Sequence, residues 1–176
     1  MAFDLNAKNI RLAGVVNDSI TDGPGIRFTV FVQGCPHHCP GCQNPQTWEF
    51  NGGVMVSAAD LLVDIEHNPL LSGVTLSGGE PLAQAEALLP LAEAVRQKGL
   101  SLAIYTGYTF ERLMEMQDKS IMQLLRLADT LIDGPFIIAE RNLELNFRGS
   151  ANQRIIDLPK SLAANKAVID TSERWN

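Results

Sequence analysis

The sequence predicts an α/β fold, a partial, open barrel of the TIM type with about six βα units. Apolar runs rich in β-branched residues alternate with segments of helical periodicity along most of the chain. Each unit takes about 30 residues, so 176 residues leave room for about six units rather than the eight of a closed barrel. We expect one domain over residues 1–176, with its core at about 10–158.

The first half of the chain contains three predicted strands and one helix. Residues 9–16 are interpreted as an edge strand, and residues 26–33 as a strand that leads directly into a cysteine-rich loop. Ser57 followed by Asp60 resembles a capping box, which predicts a helix through about residue 66. Residues 73–77 form a short apolar strand that ends at Gly78-Gly79.

The second half continues the alternation. Residues 83–98 have helical periodicity, which we expect Pro90 to interrupt and Gly99 to end. A strand at 100–106, helices at 110–116 and 120–127, and a short strand at 130–132 follow. The first eight residues and the stretch from about Pro159 to Asn176 are weakly patterned, which predicts a peripheral arm and a peripheral tail.

Composition and charge exclude several classes of function. The chain is 45% hydrophobic and 19% charged, which is typical of a globular protein with one core. A net charge of −6 without a basic cluster argues against nucleic-acid binding. No signal peptide is evident and no stretch approaches about 18 apolar residues, so we expect a cytoplasmic protein with reduced thiols and no membrane contact.

All three cysteines lie within eight residues, in the spacing Cys-x3-Cys-x2-Cys: Cys35, Cys39 and Cys42. The prolines and the glycine among them favour a loop that wraps the sulfurs around one metal centre. Three thiolates would bind three irons of a four-iron cluster and leave the fourth iron open. The spacing therefore indicates a cluster at which a substrate can bind.

Other uses of the three thiols stay open at this point. A zinc site could add His37, His38 or His67 as a fourth ligand. Unliganded buried cysteines are disfavoured because the surrounding prolines, histidines and glycine form no apolar face. A disulfide with one spare thiol would suit a secreted protein. A non-catalytic iron-sulfur or zinc-binding module is a different class of function, which a set of only three cysteines disfavours.

Several motifs together resemble a known family. The cysteine loop, followed by Ser77-Gly78-Gly79-Glu80-Pro81, is similar to the radical S-adenosylmethionine superfamily. The segment Asp22-Gly23-Pro24-Gly25-Ile26-Arg27 resembles the activating enzymes of glycyl radical enzymes. The resemblance covers about residues 10–158 and is closest to the activating proteins of anaerobic ribonucleoside-triphosphate reductase. The motifs that narrow it are Asn44, Thr47-Trp48, Tyr105-Thr106-Gly107-Tyr108, Asp133-Gly134 and residues 147–153.

The resemblance implies an oxidoreductase with the radical S-adenosylmethionine fold. Cys35, Cys39 and Cys42 would hold a 4Fe-4S cluster whose open iron binds S-adenosylmethionine. Reductive cleavage would release methionine and a 5′-deoxyadenosyl radical, which would take a hydrogen atom from the glycyl radical domain of the reductase. Flavodoxin or ferredoxin is the implied electron donor. The nearest alternative is an activating enzyme of another glycyl radical enzyme, such as pyruvate formate-lyase.

Three of the implied cofactor-binding residues follow a predicted strand. Gly78 and Gly79 would let the backbone approach the methionine moiety closely, because neither carries a Cβ. Glu80 would accept a hydrogen bond from the ammonium group of that moiety. By resemblance, the three residues form the methionine-binding motif.

The other implied cofactor-binding residues are Gly41, Gln43 and Asp133. Gly41 and Gln43 flank the last cysteine, where family members hold the adenine with backbone atoms. Asp133 begins an acidic motif at a strand end, and Pro135 stands where relatives often have a lysine.

Arg27, Arg148 and Asn152 would be surface or structural residues on composition alone. The resemblance makes Arg148 and Asn152 candidates for one wall of the site. His37 and His38 are interpreted as solvated loop residues rather than ligands.

Overall fold

The structure, a computed structural model, describes residues 4–6 and 8–175. Within those residues the chain forms one sheet of seven strands. The strands are β1 (Asn9–Ser19), β2 (Arg27–Val32), β3 (Val54–Ser57), β4 (Gly73–Gly78), β5 (Ser101–Tyr105), β6 (Thr130–Asp133) and β7 (Arg154–Asp157). Their order across the sheet is β3-β1-β2-β4-β5-β6-β7. Strands β2, β4, β5 and β6 are parallel, whereas β1, β3 and β7 pair antiparallel at the two sides.

The predicted open α/β fold is confirmed, since β3 and β7 lie at opposite edges of the sheet. The parallel part is smaller than the expected six or so units, because it has four strands. Antiparallel neighbours need no crossover helix, so a loop at 20–26 joins β1 to β2 and β3 pairs back on β1. The expectation that residues 9–16 form an edge strand is therefore wrong, because β3 covers that side of β1. The residues that further units would have used lie in two long loops, 33–53 and 134–153.

The helices in the described part of the chain are α1 (Ala58–His67), α2 (Ala85–Gln97), α3 (Phe110–Met116), α4 (Lys119–Leu127) and α5 (Leu158–Ala164). The predicted capping box is confirmed: the Ser57 hydroxyl accepts from the backbone of Asp60, whose carboxylate accepts from the backbone of Ser57. The expected interruption at Pro90 is wrong. Helix α2 runs through Pro90 without a break, although proline cannot donate a backbone hydrogen bond. Gly99 ends it with a φ of +73°, as predicted.

The two faces of the sheet have different surroundings. Along β2, Phe28 and Val30 are fully buried and pack with the helices in the main hydrophobic core. Because side chains alternate along a strand, Arg27 and Thr29 lie on the other face. A smaller apolar cluster includes Ala103 of β5. The helices therefore cover one face of the sheet, and the other face is more polar.

The stretch from Pro159 onward differs from the expected peripheral tail. It contains most of α5, and Asp170 then donates its backbone N–H to Ile155 of β7 at 2.8 Å. Trp175 is only 3% exposed and packs in the smaller apolar cluster. This stretch therefore contributes to the fold. Residues 1–3 and 7 of the predicted arm, and Asn176 of the predicted tail, lie outside the described residues.

The parallel strands bring their carboxyl ends to one edge of the sheet. The cysteine loop follows β2, the Gly79-Glu80 turn follows β4, Thr106-Gly107 follows β5 and Gly134 follows β6. The candidate site residues that depend on these loops therefore converge. Within the described residues, no helix has the length and apolar character needed to cross a membrane.

Candidate metal centre

The cysteine loop is a closed turn of chain. It leaves the end of β2 and returns through a short 3-10 helix at Pro45–Thr47. The backbone N–H of Gly34 donates to the carbonyl of Thr47 at 2.7 Å, and that of Cys35 donates to the carbonyl of Trp48 at 3.0 Å. These bonds tie the start of the loop to its end and hold the three cysteines between them.

The three thiols are free and differ in exposure. Cys35 is 8% exposed, whereas Cys39 and Cys42 are half-buried. A turn brings the last two together, because the backbone N–H of Cys42 donates to the carbonyl of Cys39 at 3.0 Å. The backbone N–H of Asn44 donates to the sulfur of Cys42 at 3.3 Å. Backbone donors of this kind tune the reduction potential of an iron-sulfur cluster.

The donor set fits a four-iron cluster. Burial raises the pKa of the Cys35 thiol, and hydrogen bonds from the backbone N–H groups of His37 and His38 oppose that shift by stabilising the thiolate. Within residues 4–6 and 8–175, no three His, Cys, Asp or Glu side chains are grouped so that they could hold a single metal ion. A four-iron cluster makes a different demand, because each thiolate binds its own iron.

The loop histidines have other partners than a metal. Nε2 of His37 lies 2.7 Å from Oε2 of Glu80, and the His37 side chain is only 16% exposed. The ring of His38 stacks on Trp48, with centroids 4.9 Å apart and an interplanar angle of 9°. The interpretation of His37 as a solvated residue is therefore wrong, whereas His38 is exposed as expected. His67 is the last residue of α1 and lies outside the loop.

The Gly78-Gly79 turn packs directly against the cysteine loop. The backbone N–H of Gly79 donates to Val32 and that of Glu80 donates to Gly34, both at 2.8 Å. A Cβ on Gly79 would collide with the carbonyl of Gly34, and one on Gly78 would lie 2.6 Å from the backbone nitrogen of Val32. The contact between this turn and the cysteine loop thus requires both glycines. The close approach of a cofactor, which the sequence suggested as their role, stays a prediction.

Glu80 is fully buried, and its carboxylate is surrounded by protein donors. Oε2 accepts from the hydroxyl of Thr106 and the backbone N–H of Gly107, both at 2.9 Å, as well as from His37. Oε1 accepts from the backbone N–H of Leu82 at 3.0 Å. The carboxylate therefore joins the ends of β4 and β5 to the cysteine loop. The sequence placed Thr106 and Gly107 at this edge but did not identify them as its partners.

Gly41 and Gln43 face the loop that follows β6. Gly41 is exposed with a φ of +76°, and a Cβ there would lie 2.7 Å from Cδ1 of Ile138. A Cβ on Gly149 would lie 3.5 Å from Nε2 of Gln43. The two residues therefore lie between the cysteines and the segment 136–149, next to the carboxyl edge of the sheet.

Asp133 ends β6 at the same edge, but its carboxylate contacts protein groups. It is fully buried and accepts from both Nε and Nη2 of Arg154 and from the backbone N–H of Phe110. These bonds give Asp133 a structural role that the sequence did not predict. A contact of this residue with a cofactor stays a prediction.

The remaining candidates lie at two separate places. Arg27 is 2% exposed and lies near the amino ends of the parallel strands, where it bonds to Val74, Thr75 and Ser101. Arg27 is therefore a structural residue. Nε of Arg148 and Oδ1 of Asn152 are buried and have no hydrogen-bond partner among the described residues. Asn152 donates to the carbonyl of Pro135 at 2.8 Å, just after β6. Asn152 therefore lies beside the site edge, and Arg27 does not.

Comparisons with known proteins agree with this geometry. A family model described as a 4Fe-4S single cluster domain matches residues 21–156. The chain is 38% identical over 144 residues to the anaerobic ribonucleoside-triphosphate reductase-activating protein of Haemophilus influenzae, covering 77% of this chain and 90% of the relative. The protein of that name from Escherichia coli K12 is 36% identical over 142 residues, covering 76% and 90%.

Two more distant likenesses have lower coverage. The pyruvate formate-lyase-activating enzyme of Clostridium pasteurianum is 34% identical over 128 residues, which cover 68% of this chain and 54% of the relative. The crystal structure of QueE from Escherichia coli superposes with a TM-score of 0.45 at 23% identity, covering 57% of this chain and 54% of that one.

Proposed function

The chain belongs to the family of 4Fe-4S single cluster domains and to the anaerobic ribonucleoside-triphosphate reductase-activating proteins, and from this membership we propose that it generates the glycyl radical of that reductase. It is a radical S-adenosylmethionine activase and therefore an oxidoreductase. The substrate is a protein, since the radical is formed on a glycine of the reductase.

One observation carries the proposal: the loop with three free cysteines is hydrogen-bonded to the Gly79-Glu80 turn. Glu80 donates its backbone N–H to Gly34, directly before Cys35. A centre held by the loop would thus lie beside the half-buried backbone of Gly78 and Gly79 at the end of β4. The open iron of a three-cysteine cluster needs a ligand that is not a cysteine, and this adjacent backbone supports S-adenosylmethionine as that ligand.

The residues that would hold the two groups follow from this placement. Cys35, Cys39 and Cys42 would bind three irons of the cluster. Around the cofactor, the backbone of four glycine or glutamine positions would supply hydrogen bonds. Those positions are Gly41, Gln43, Gly78 and Gly79, and Asp133 would lie next to them at the end of β6. Glu80 would belong to the same methionine-binding motif, but its carboxylate accepts from protein donors, so it would fix that backbone rather than bond to the ammonium group as the sequence suggested.

When bound through Cys35, Cys39 and Cys42, the cluster would supply the electron for reductive cleavage of S-adenosylmethionine, and thereby the hydrogen-atom abstraction from the reductase glycine. The chain's part is to orient the groups and to exclude water. Cys35 and Glu80 are buried, so one side of the centre is closed to solvent. The more exposed Cys39 and Cys42 leave the other side open to a protein substrate.

The remaining assignments belong to the same proposal. Flavodoxin or ferredoxin would deliver the electron, and the protein would work in the cytoplasm, where thiols stay reduced. The net charge of −6 supports no nucleic-acid partner. The likeness to a pyruvate formate-lyase-activating enzyme favours a second candidate, activation of another glycyl radical enzyme.

The test is cluster reconstitution under argon, followed by assay of S-adenosylmethionine cleavage with a chemical reductant. We expect about four irons and four sulfides per chain, and the release of methionine and 5′-deoxyadenosine in equal amounts. Cys39→Ala should lose both the cluster absorption and the cleavage. A full cluster in Cys39→Ala, or a loaded wild-type protein that does not cleave S-adenosylmethionine, would contradict the proposal.

A further inference from the structure

We propose that His37 is a positioning residue that fixes the middle of the cysteine loop against the ends of β4 and β5, and so sets the distance between cluster and cofactor. The inference deepens the proposed function and rests on it. His37 lies between the first two cysteines, and its side chain is turned away from solvent.

The contact between His37 and Glu80 joins distant parts of the chain. Nε2 of His37 lies 2.7 Å from Oε2 of a carboxylate that is fully buried, 43 residues further along the sequence. Three other donors converge on the two oxygens of that carboxylate. Because a carboxylate surrounded by donors acts as an acceptor, the imidazole donates through Nε2. Such charge-assisted bonds are stronger than neutral ones.

The imidazole ring fits a space that its neighbours leave for it. A Cβ on Gly107 would collide with the ring, so a glycine at this position is needed for His37 to reach Glu80. Tyr108 packs edge-on against the ring, with centroids 4.5 Å apart and an interplanar angle of 72°. The ring is therefore held by three groups from two strand ends.

Other contacts join the loop to its own returning chain. Gly34 and Cys35 bond to Thr47 and Trp48, and the ring of His38 stacks on Trp48. The side chain of His37 differs from these because it joins the stretch between Cys35 and Cys39 to the ends of β4 and β5. A displacement of about 1 Å between reacting groups is enough to impair catalysis strongly.

The neighbouring His38 supplies a matched comparison. It lies in the same loop, but its ring stacks on Trp48 and is exposed. Its φ is +48°, a conformation that asparagine adopts more readily than alanine does. His38→Asn therefore removes the stack on Trp48 but should leave the backbone conformation and the contact between His37 and Glu80 in place.

The test compares His37→Ala, His37→Gln and His38→Asn with wild type after anaerobic cluster reconstitution. Iron and sulfide content reports cluster assembly. Equilibrium dialysis gives the Kd for S-adenosylmethionine, and EPR of the reduced cluster with and without S-adenosylmethionine reports whether the cofactor reaches the iron. Glutamine can donate from a position close to that of Nε2, so it should restore what alanine loses.

We expect full iron content in all variants and a Kd raised about tenfold in His37→Ala, together with a weakened spectral response to S-adenosylmethionine. His37→Gln and His38→Asn should stay within about threefold of wild type. An unchanged Kd and spectrum in His37→Ala, failure of glutamine to restore them, or loss of the cluster itself would each overturn the positioning role. A wild-type protein without any response to the cofactor would instead refute the proposed function.

Discussion

Arg154 binds both carboxylate oxygens of Asp133, its direct neighbour across the antiparallel pair β6 and β7. The Asp133 side chain is 1% exposed, whereas that of Arg154 is 33% exposed and also reaches Glu111 on the surface. The same buried carboxylate accepts the backbone N–H of Phe110, the first residue of α3, at 2.7 Å. One side chain thus joins two strands and a helix at the edge that carries the candidate site.

Replacing Asp133 by alanine should lower the free energy of unfolding by about 2–4 kcal/mol, because a guanidinium and a buried N–H lose their acceptor. Urea unfolding of the cluster-loaded protein under argon measures the change. Glu111→Gln is the matched control, and should cost about 1 kcal/mol or less because the Glu111 side chain is 55% exposed. Equal losses in the two variants would show that the buried pair has no special importance.

Gly79→Ala should displace the Gly79-Glu80 turn from the cysteine loop, because the new Cβ would collide with the carbonyl of Gly34. We expect cofactor binding to weaken by about tenfold or more even where the cluster still assembles. Gly14→Ala is the control, since no atom of the described part of the chain lies within 4 Å of a Cβ there. Dialysis against labelled S-adenosylmethionine distinguishes the two. Wild-type affinity in Gly79→Ala would mean that the turn does not contact the cofactor.

The parallel strands were predictable because each is a buried apolar run. The predicted 26–33, 73–77, 100–106 and 130–132 correspond to β2, β4, β5 and β6 within one residue at every end. The edge strands β3 and β7 were not predicted. Each has only four residues. Val54 and Met55 of β3 are at least half exposed, and β7 has only two buried apolar residues, so neither strand stands out in the sequence. Their pairing depends on partners far along the chain.

In the site, too, the sequence predicted what depends on a local pattern and missed what depends on distant partners. The cysteine spacing and the turns after β4 and β5 are local patterns, and they indicated both the centre and the edge at which it lies. The role of His37 is not local, because it depends on a carboxylate 43 residues away and on the absence of a side chain at Gly107. Asp133 was assigned toward a cofactor by resemblance, and its structural bond was missed because its partner Arg154 lies in a strand that the sequence did not reveal.

Arg27→Lys should destabilise the fold by about 2–3 kcal/mol, because one ammonium cannot replace a guanidinium that bonds to Val74, Thr75 and Ser101. Burial lowers the pKa of Arg27 to about 10, so the side chain is charged at neutral pH. Arg126→Lys changes an exposed residue of α4 and should cost less than about 0.5 kcal/mol. Thermal or urea unfolding of both variants measures the difference, and similar values would contradict a structural role for Arg27.

Trp175→Ala tests the contribution of the last described residues. Trp175 is 3% exposed and packs edge-on against Phe147, with ring centroids 5.4 Å apart. Replacing the Trp175 side chain by that of alanine should lower the free energy of unfolding by about 3–4 kcal/mol. Ile169→Ala, at a side chain that is 49% exposed, should cost clearly less. A smaller loss for Trp175→Ala than for Ile169→Ala would show that the stretch after Pro159 is peripheral, as the sequence predicted.

The most direct test of the central claim is anaerobic EPR spectroscopy of the reduced, cluster-loaded protein mixed with S-adenosylmethionine and the ribonucleoside-triphosphate reductase of the same organism. We predict the doublet of a glycyl radical that requires this protein and disappears with Cys39→Ala. Substituting a pyruvate formate-lyase for the reductase should give no doublet. An intact cluster and reductase that yield no radical, or a doublet only on the formate-lyase, would contradict the assignment of the reductase as substrate.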